Sequence, residues 1–186
     1  QTKYLGGHRD ISAGTISSSK ILIDKILDSS IKYGGNLSEH TVWLLERSIK
    51  TLFLRVKAQN KNAQKIAEFL YVNDNVKSVY YPGLESHPQH ELAKRQMNGY
   101  GGMLSFLMKE EKKSDEFTRF LKIIKPAMSL GGVESTITSP SLTSHSKISK
   151  EKREKFGISD GLLRFSVGIE DYEDLKNDLT QAFEKI

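Results

Sequence analysis

The chain has no cysteine among its 186 residues. Disulfides, a thiol nucleophile and a thiolate zinc site are therefore all excluded. No apolar run approaches the roughly 20 residues that cross a bilayer as a helix, so no membrane partner is expected. No leader pattern opens the sequence either, and a cytoplasmic address is the default expectation. Net charge is +5, which raises the question of nucleic acid. The lysines, however, are interleaved with acids, as in Lys109–Lys113 and Lys147–Lys155. A nucleic-acid footprint is usually a clustered basic patch, so these charges read as a solvated surface and no nucleic-acid partner is expected. His87, His90 and His145 lack metal-ligand spacing, which leaves no metal site to expect. No internal repeat is visible.

What is present is a globular composition, 37% hydrophobic and 27% charged, long enough for one domain or two unequal lobes. Gly6-Gly7 and Gly14 mark turns in a chemistry-bearing opening that reads as though cut in mid-domain. Lys20 to Ile31 reads as a helix ended by Gly34-Gly35. Apolar residues then recur at Val42, Leu45, Ile49, Leu52 and Val56, and again at Ala63, Ile66, Ala67 and Leu70. Spacings of three and four without Pro or Gly predict one long amphipathic helix, or two in series, joining two lobes.

Beyond it the chain alternates. Val76–Tyr81, Gly101–Met108 and Leu162–Val167 read as strands, and Ala127–Leu130 as a short extended piece. Helices are expected from Pro88 to Met97, from Ser114 to Ile124 with Ser114 as N-cap, and after Asp171. In the last, Tyr172, Leu175, Leu179, Ala182 and Phe183 share a face. Helices between strands predict an α/β sandwich lobe.

The chemistry concentrates at Thr2-Lys3-Tyr4. A lysine that forms a Schiff base needs burial or cationic neighbours to lower its pKa, and a cofactor phosphate needs hydroxyl and backbone donors. Here a hydroxyl precedes the lysine, and an apolar pair, two glycines and a histidine follow.

The run Thr2-Lys3-Tyr4-Leu5-Gly6-Gly7-His8-Arg9-Asp10 resembles the pyridoxal-phosphate (PLP) attachment motif of the family of cystathionine γ-synthase, cystathionine γ-lyase and methionine γ-lyase. Four further blocks in the same order extend the resemblance over essentially the whole chain. They are Arg47–Leu52, Tyr81–His90, Ser129–Ser135 and Gly157–Asp171. Five ordered blocks are far more specific than any single motif.

The resemblance implies a fold-type I PLP-dependent transferase of the α/β class. Residues 1–50 would end the large cofactor domain, 51–75 would be the connecting helix, and 76–186 the C-terminal α/β domain. It implies that Lys3 bonds the cofactor aldehyde and, once released by substrate, shuttles protons between Cα, the cofactor C4′ and Cβ. Thr2 would donate to the phosphate. Arg164, set between Leu163 and Phe165 in a strand, would clamp the substrate carboxylate. As an inward-facing or edge-facing guanidinium it is costly unless paired, so an ion pair is the plainer alternative. Ser129 would position substrate or Lys3, partly through backbone groups.

Other polar residues read as structural. His8 is expected to order the loop after Lys3, Glu134 to fix the glycine-rich loop, and Arg47 and Lys50 to form ion pairs. Departures also matter. Arg9 stands where the family has serine and Ser48 where it has glycine. The stretch Thr138–His145 follows the family only in part. Met128 stands where many cystathionine enzymes carry glutamate, which favours an apolar substrate tail.

The activity implied is γ-elimination from a small sulfur amino acid. The alternatives are γ-replacement, as in a cystathionine γ-synthase or O-acylhomoserine sulfhydrylase, and a non-catalytic module. Family members are about twice this size and tetrameric. A missing N-terminal half, carrying the pyridinium and ring-stacking partners of PLP, and association into a homo-oligomer are therefore expected.

Overall fold

The long periodic signal resolves into two helices in series, α2 (Glu39–Ile49) and α3 (Leu52–Tyr71), after a first helix α1 (Lys20–Tyr33). The computed structural model describes residues 2–186. The break at Lys50-Thr51 has a local cause. Thr51 Oγ1 donates to Ser48 O at 3.2 Å and Arg55 Nη2 to the same carbonyl at 2.7 Å. Both divert the last carbonyls of α2 from continuing the helix. Gly34 and Gly35, at φ of 85° and 94°, end α1 as expected.

The remaining elements are β1 (Val76–Tyr80), α4 (His90–Gln96), β2 (Met103–Met108), α5 (Ser114–Phe120), β3 (Lys125–Pro126), β4 (Thr136–Thr138), α6 (Lys150–Lys155), β5 (Leu162–Ser166) and α7 (Tyr172–Phe183). One sheet has the order β1-β2-β5-β4-β3. Its pairs are antiparallel except β3 with β4. In β2 and β5 the buried residues alternate, so Leu104, Phe106, Met108, Leu163 and Phe165 enter the core. Ala63, Ile66, Ala67 and Leu70 of α3, with Leu175, Leu179 and Ala182 of α7, complete it. Phe117 stacks on Phe183 with ring centroids 4.4 Å apart.

Asp171 caps α7, accepting from Glu173 N at 2.8 Å, as its position predicts. Three details differ from the sequence reading. Ser114 is not a cap, because its hydroxyl donates to the carbonyls of Glu111 and Asp160 and joins two segments. The extended piece lies at Lys125–Pro126, with 127–130 irregular, and β4 and α6 are additional elements. Arg47 is exposed and forms no ion pair among the described residues, whereas Lys50 pairs with Glu46 at 3.3 Å.

A buried carboxylate holds the turn before β3. Asp178 on α7 accepts from the backbone N–H groups of Lys122, Ile123 and Ile124 at 2.8, 2.8 and 2.9 Å. Asp178→Ala leaves these donors without an acceptor in a buried setting. The expected loss is about 2–4 kcal/mol of unfolding free energy, read from urea denaturation. A loss below about 0.5 kcal/mol would show that the turn holds itself.

Candidate active site

The turn that carries Lys3 is closed by its own backbone, with Gly7 N donating to Lys3 O at 2.8 Å. The lysine side chain is exposed on the outer side of that turn. Of the two routes to a lowered amine pKa, burial is not provided: among the described residues nothing buries the lysine, whereas Tyr4 packs inward. The Tyr4 ring lies against Gly131, where an added Cβ would meet its Cδ2 at 3.0 Å. Its hydroxyl reaches Gly102, and burial pushes its pKa up. Val133 N donates to Gly7 O at 2.9 Å. The lysine turn and the glycine-rich loop of residues 129–135 therefore form one packed unit.

Strand β5 passes beneath that unit. Arg164 and Ser166 are two residues apart and share a face, opposite to the core residues Leu163 and Phe165. Ser166 Oγ accepts from Gly131 N at 2.8 Å. Arg164 Nη2 donates to Met128 O at 2.7 Å. That is its one hydrogen bond among the described residues, and no carboxylate pairs with it. The ion-pair alternative is thus not realised. Partial burial lowers the guanidinium pKa, which signals a cation short of solvation. Nor is it edge-facing, since β5 lies at the centre of the sheet. Its remaining N–H groups can take up an anion.

Ser129 is half-buried beside it, and its carbonyl accepts from Thr136 Oγ1 at 2.9 Å. Met128 is 64% exposed. Its side chain lines a cleft of about 380 Å³ with Ala127, Ile137 and Leu142. Asp115, Thr118, Thr138, Ser139 and Thr143 line the same cleft on its polar side. Thr2 Oγ1 accepts from Ala13 N at 3.2 Å. That bond uses a lone pair and leaves the hydroxyl proton for a further acceptor.

Several supporting residues behave as the sequence suggests. His8 Nδ1 bonds Gly6 O at 3.0 Å and so orders its own loop. His87, His90 and His145 each bond a neighbouring group through Nδ1, and no metal-binding cluster occurs among the described residues. Glu134 does tie down the glycine-rich loop, with Arg9 as its partner. Arg9 Nη1 reaches Glu134 Oε2 at 3.2 Å and Nη2 reaches Glu134 O at 2.8 Å. Arg9 holds this geometry at a φ of 60°, unusual for a residue with a side chain.

Sequence reasoning passed over the residues that assemble the unit. Arg55, Gln59 and Asn62 occupy one face of α3 at helical spacing, and all three are buried. Arg55 Nη1 donates to Tyr4 O at 2.8 Å, Gln59 Nε2 to Gly132 O at 2.7 Å and Asn62 Nδ2 to Glu170 O at 2.8 Å. Glu170 in turn accepts from Ser135 N and Oγ at 2.6 and 2.9 Å. Their signal was a polar stripe at i, i+4 and i+7 continuing the apolar one, which reads from sequence as a solvent face.

A lysine on a tight turn, a spare hydroxyl proton next to it and a strand arginine with free N–H groups match what a phosphate-bearing aldehyde cofactor and an amino-acid carboxylate require. The donor set fits pyridoxal phosphate. The chain matches the Cys/Met metabolism PLP-dependent enzyme family over residues 1–184, and it belongs to that family.

Among its relatives, the cystathionine beta-lyase of Lactococcus lactis subsp. cremoris (strain MG1363) is 51% identical over 99% of this chain and 49% of the relative. The cystathionine gamma-lyase of Bacillus subtilis (strain 168) is 48% identical over 100% and 49%. Cystathionine gamma-synthase 1 (chloroplastic) of Arabidopsis thaliana is 46% identical over 100% and 33%. The crystal structure of cystathionine gamma-lyase from Lactobacillus plantarum complexed with L-serine superposes with a TM-score of 0.91 at 39% identity, covering 100% of this chain and 49% of that one. The fold is that of a PLP-dependent enzyme of this family, and the chain spans at most about half the length of these relatives.

The close fit at Gly131 yields a direct test. Its φ is +71° and an added Cβ would press on Tyr4. Gly131→Ala is expected to lose about 1–3 kcal/mol in urea denaturation.

Proposed function

We propose that this chain supplies the cofactor lysine and the carboxylate clamp of an enzyme that eliminates the Cγ substituent of a sulfur amino acid. The observation that carries the proposal is the packing of the Lys3 turn onto the loop whose Met128 carbonyl holds Arg164. Lys3 bonds the cofactor aldehyde. Thr2 donates its hydroxyl to the phosphate. When bound, pyridoxal phosphate withdraws electrons from the substrate Cα and makes its proton labile.

Lys3, as a free amine, would take that proton from Cα towards the cofactor C4′ and then remove one from Cβ, so that the Cβ–H electron pair expels the sulfur from Cγ and the departing thiolate takes up a proton. Arg164 grips the carboxylate through N–H groups not spent on Met128 and fixes which Cα bond faces Lys3. Ser129 positions the same end of the substrate, and Met128 meets its tail. A thioether tail suits the apolar wall formed by Met128, Ala127, Ile137 and Leu142. That favours a methionine-like substrate, whose leaving sulfur sits on Cγ, over the second amino-acid head group of cystathionine.

The proposal extends to organisation. Residues 1–50 end a cofactor domain, 51–75 connect, and 76–186 form the C-terminal α/β domain. Of α1 and α2, only Ser48 is buried, while Ile21, Ile31, Tyr33, Val42 and Trp43 are exposed. Such a face supports cover by the further length that the relatives have or by another subunit; the assembly proposed is a homotetramer and its proposed address is the cytoplasm. No helix of the described residues is long and apolar enough to cross a membrane.

In the full-length enzyme, Lys3→Ala is expected to abolish both turnover and the visible absorbance of lysine-bound cofactor. Arg164→Lys should raise KM for the amino acid about 10- to 100-fold, because a lysine cannot reproduce the planar fork. Met128→Glu should move the preference from methionine towards cystathionine about tenfold in kcat/KM, roughly the 1–3 kcal/mol of a changed pocket contact. Product analysis with cystathionine separates the readings: γ-elimination gives cysteine and 2-oxobutyrate, β-elimination gives homocysteine and pyruvate. Absence of reaction with methionine, cystathionine and O-acylhomoserine alike would defeat the assignment.

A further inference from the structure

Arg55 is 5% exposed, and among the described residues no carboxylate meets its guanidinium. Its partners are oxygens of the two segments it joins. Nη1 donates to Tyr4 O at 2.8 Å, Nη2 to Leu5 O at 3.4 Å and to Ser48 O at 2.7 Å, and Nε to Thr51 Oγ1 at 3.1 Å. Tyr4 and Leu5 are the two residues directly after Lys3, whose own carbonyl is taken by Gly7 N. Three successive carbonyls of the turn are therefore engaged. Gly7 also makes room for the cation, since a Cβ there would lie 2.1 Å from Nη1. One helical turn further on, Gln59 holds Gly132 O, in the loop that carries Ser129. A single rigid helix thus fixes the base of the lysine and the loop facing it. The lysine side chain itself is left free on the outer side.

We propose that Arg55 is a positioning residue that aims Lys3, acting through the backbone of the lysine turn rather than by touching cofactor or substrate. This rests on the reading of Lys3 as the cofactor lysine. A lysine at position 55 keeps the charge but not the fork, so it cannot bridge the turn and the helix break together. Misplacement of a reacting group by about 1 Å costs on the order of 100-fold in rate.

The test uses the full-length enzyme with Arg55→Lys, the milder Thr51→Val, Leu179→Ala as a stability control in the C-terminal core, and Lys3→Ala. Three quantities are read: Tm, kcat with KM for methionine, and the rate at which added pyridoxal phosphate becomes fixed to each lysine. The last comes from borohydride reduction and peptide mass spectrometry at timed intervals. Arg55→Lys is expected to slow labelling of Lys3 about tenfold and to lower kcat about 10- to 100-fold, with KM within about twofold. Thr51→Val should move both in the same direction by about threefold, and it carries the test should Arg55→Lys not fold. Leu179→Ala should lower Tm at least as far while labelling and kcat stay within about twofold.

If labelling and kcat are unchanged in Arg55→Lys and Thr51→Val, the inference is overturned. A loss in Leu179→Ala that tracks Tm to the same extent overturns it as well. Labelling that persists unchanged in Lys3→Ala would instead remove the assignment of Lys3, a distinguishable failure.

Discussion

A buried guanidinium solvated by main-chain carbonyls is the constraint on which the candidate site depends. Burial lowers the pKa of Arg55, a sign that the cation has lost water it would prefer to keep. Hydrogen bonds to Tyr4, Leu5, Ser48 and Thr51 replace that water. A carboxylate would have neutralised the charge at one point. Carbonyls from separate segments spread the same interaction over the lysine turn and the junction of α2 with α3. The arrangement holds backbone rather than a side chain, which would suit the mobile amine that the proposed role of Lys3 calls for.

Much of the scaffold was legible because it rests on local period and capping. The apolar half of α3, the alternation in β2 and β5, and the Asp171 cap of α7 each follow from a rule that acts within a few residues. Elements without such a signal stayed hidden. Strand β4 is only Thr136–Thr138, buried throughout, and owes its existence to neighbours on both sides. Helix α6 reads Lys-Glu-Lys-Arg-Glu-Lys, with no apolar face to betray it, and is tied down by buried Arg153 reaching Asp160 at 3.0 Å. Ser114 shows the converse: a good cap by type, recruited by tertiary partners instead. The polar ridge of α3 was passed over for the same reason, because sequence spacing says which residues share a face but not what that face meets.

Individual site residues were legible only through ordered motifs. Nothing in composition marks Lys3 among the many lysines of the chain, and its exposure here gives no sign of reactivity. What distinguishes it is the company it keeps once folded. Gly7, Tyr4 and Arg55 hold its turn from within, and Gly131 and Val133 dock it from outside. The lysine sits at the rim of the structure, on the same N-terminal stretch that leads into the exposed apolar faces of α1 and α2.

Position 128 divides its labour between main chain and side chain. Its carbonyl orients Arg164, while its thioether faces the cleft. A carbonyl is supplied equally well by any residue, so the hold on the Arg164 guanidinium is insulated from the identity of the side chain at position 128. On the function proposed for Arg164 and Met128, substrate tails could be re-selected at this position without disturbing the head group. The same logic governs the glycine-rich loop, which Gln59 and Glu170 hold through Gly132 O and Ser135 N rather than through the groups that would meet substrate. A scaffold that fixes backbone and leaves side chains to choose the substrate gives a physical reason why one fold serves relatives named for beta-lyase, gamma-lyase and gamma-synthase reactions.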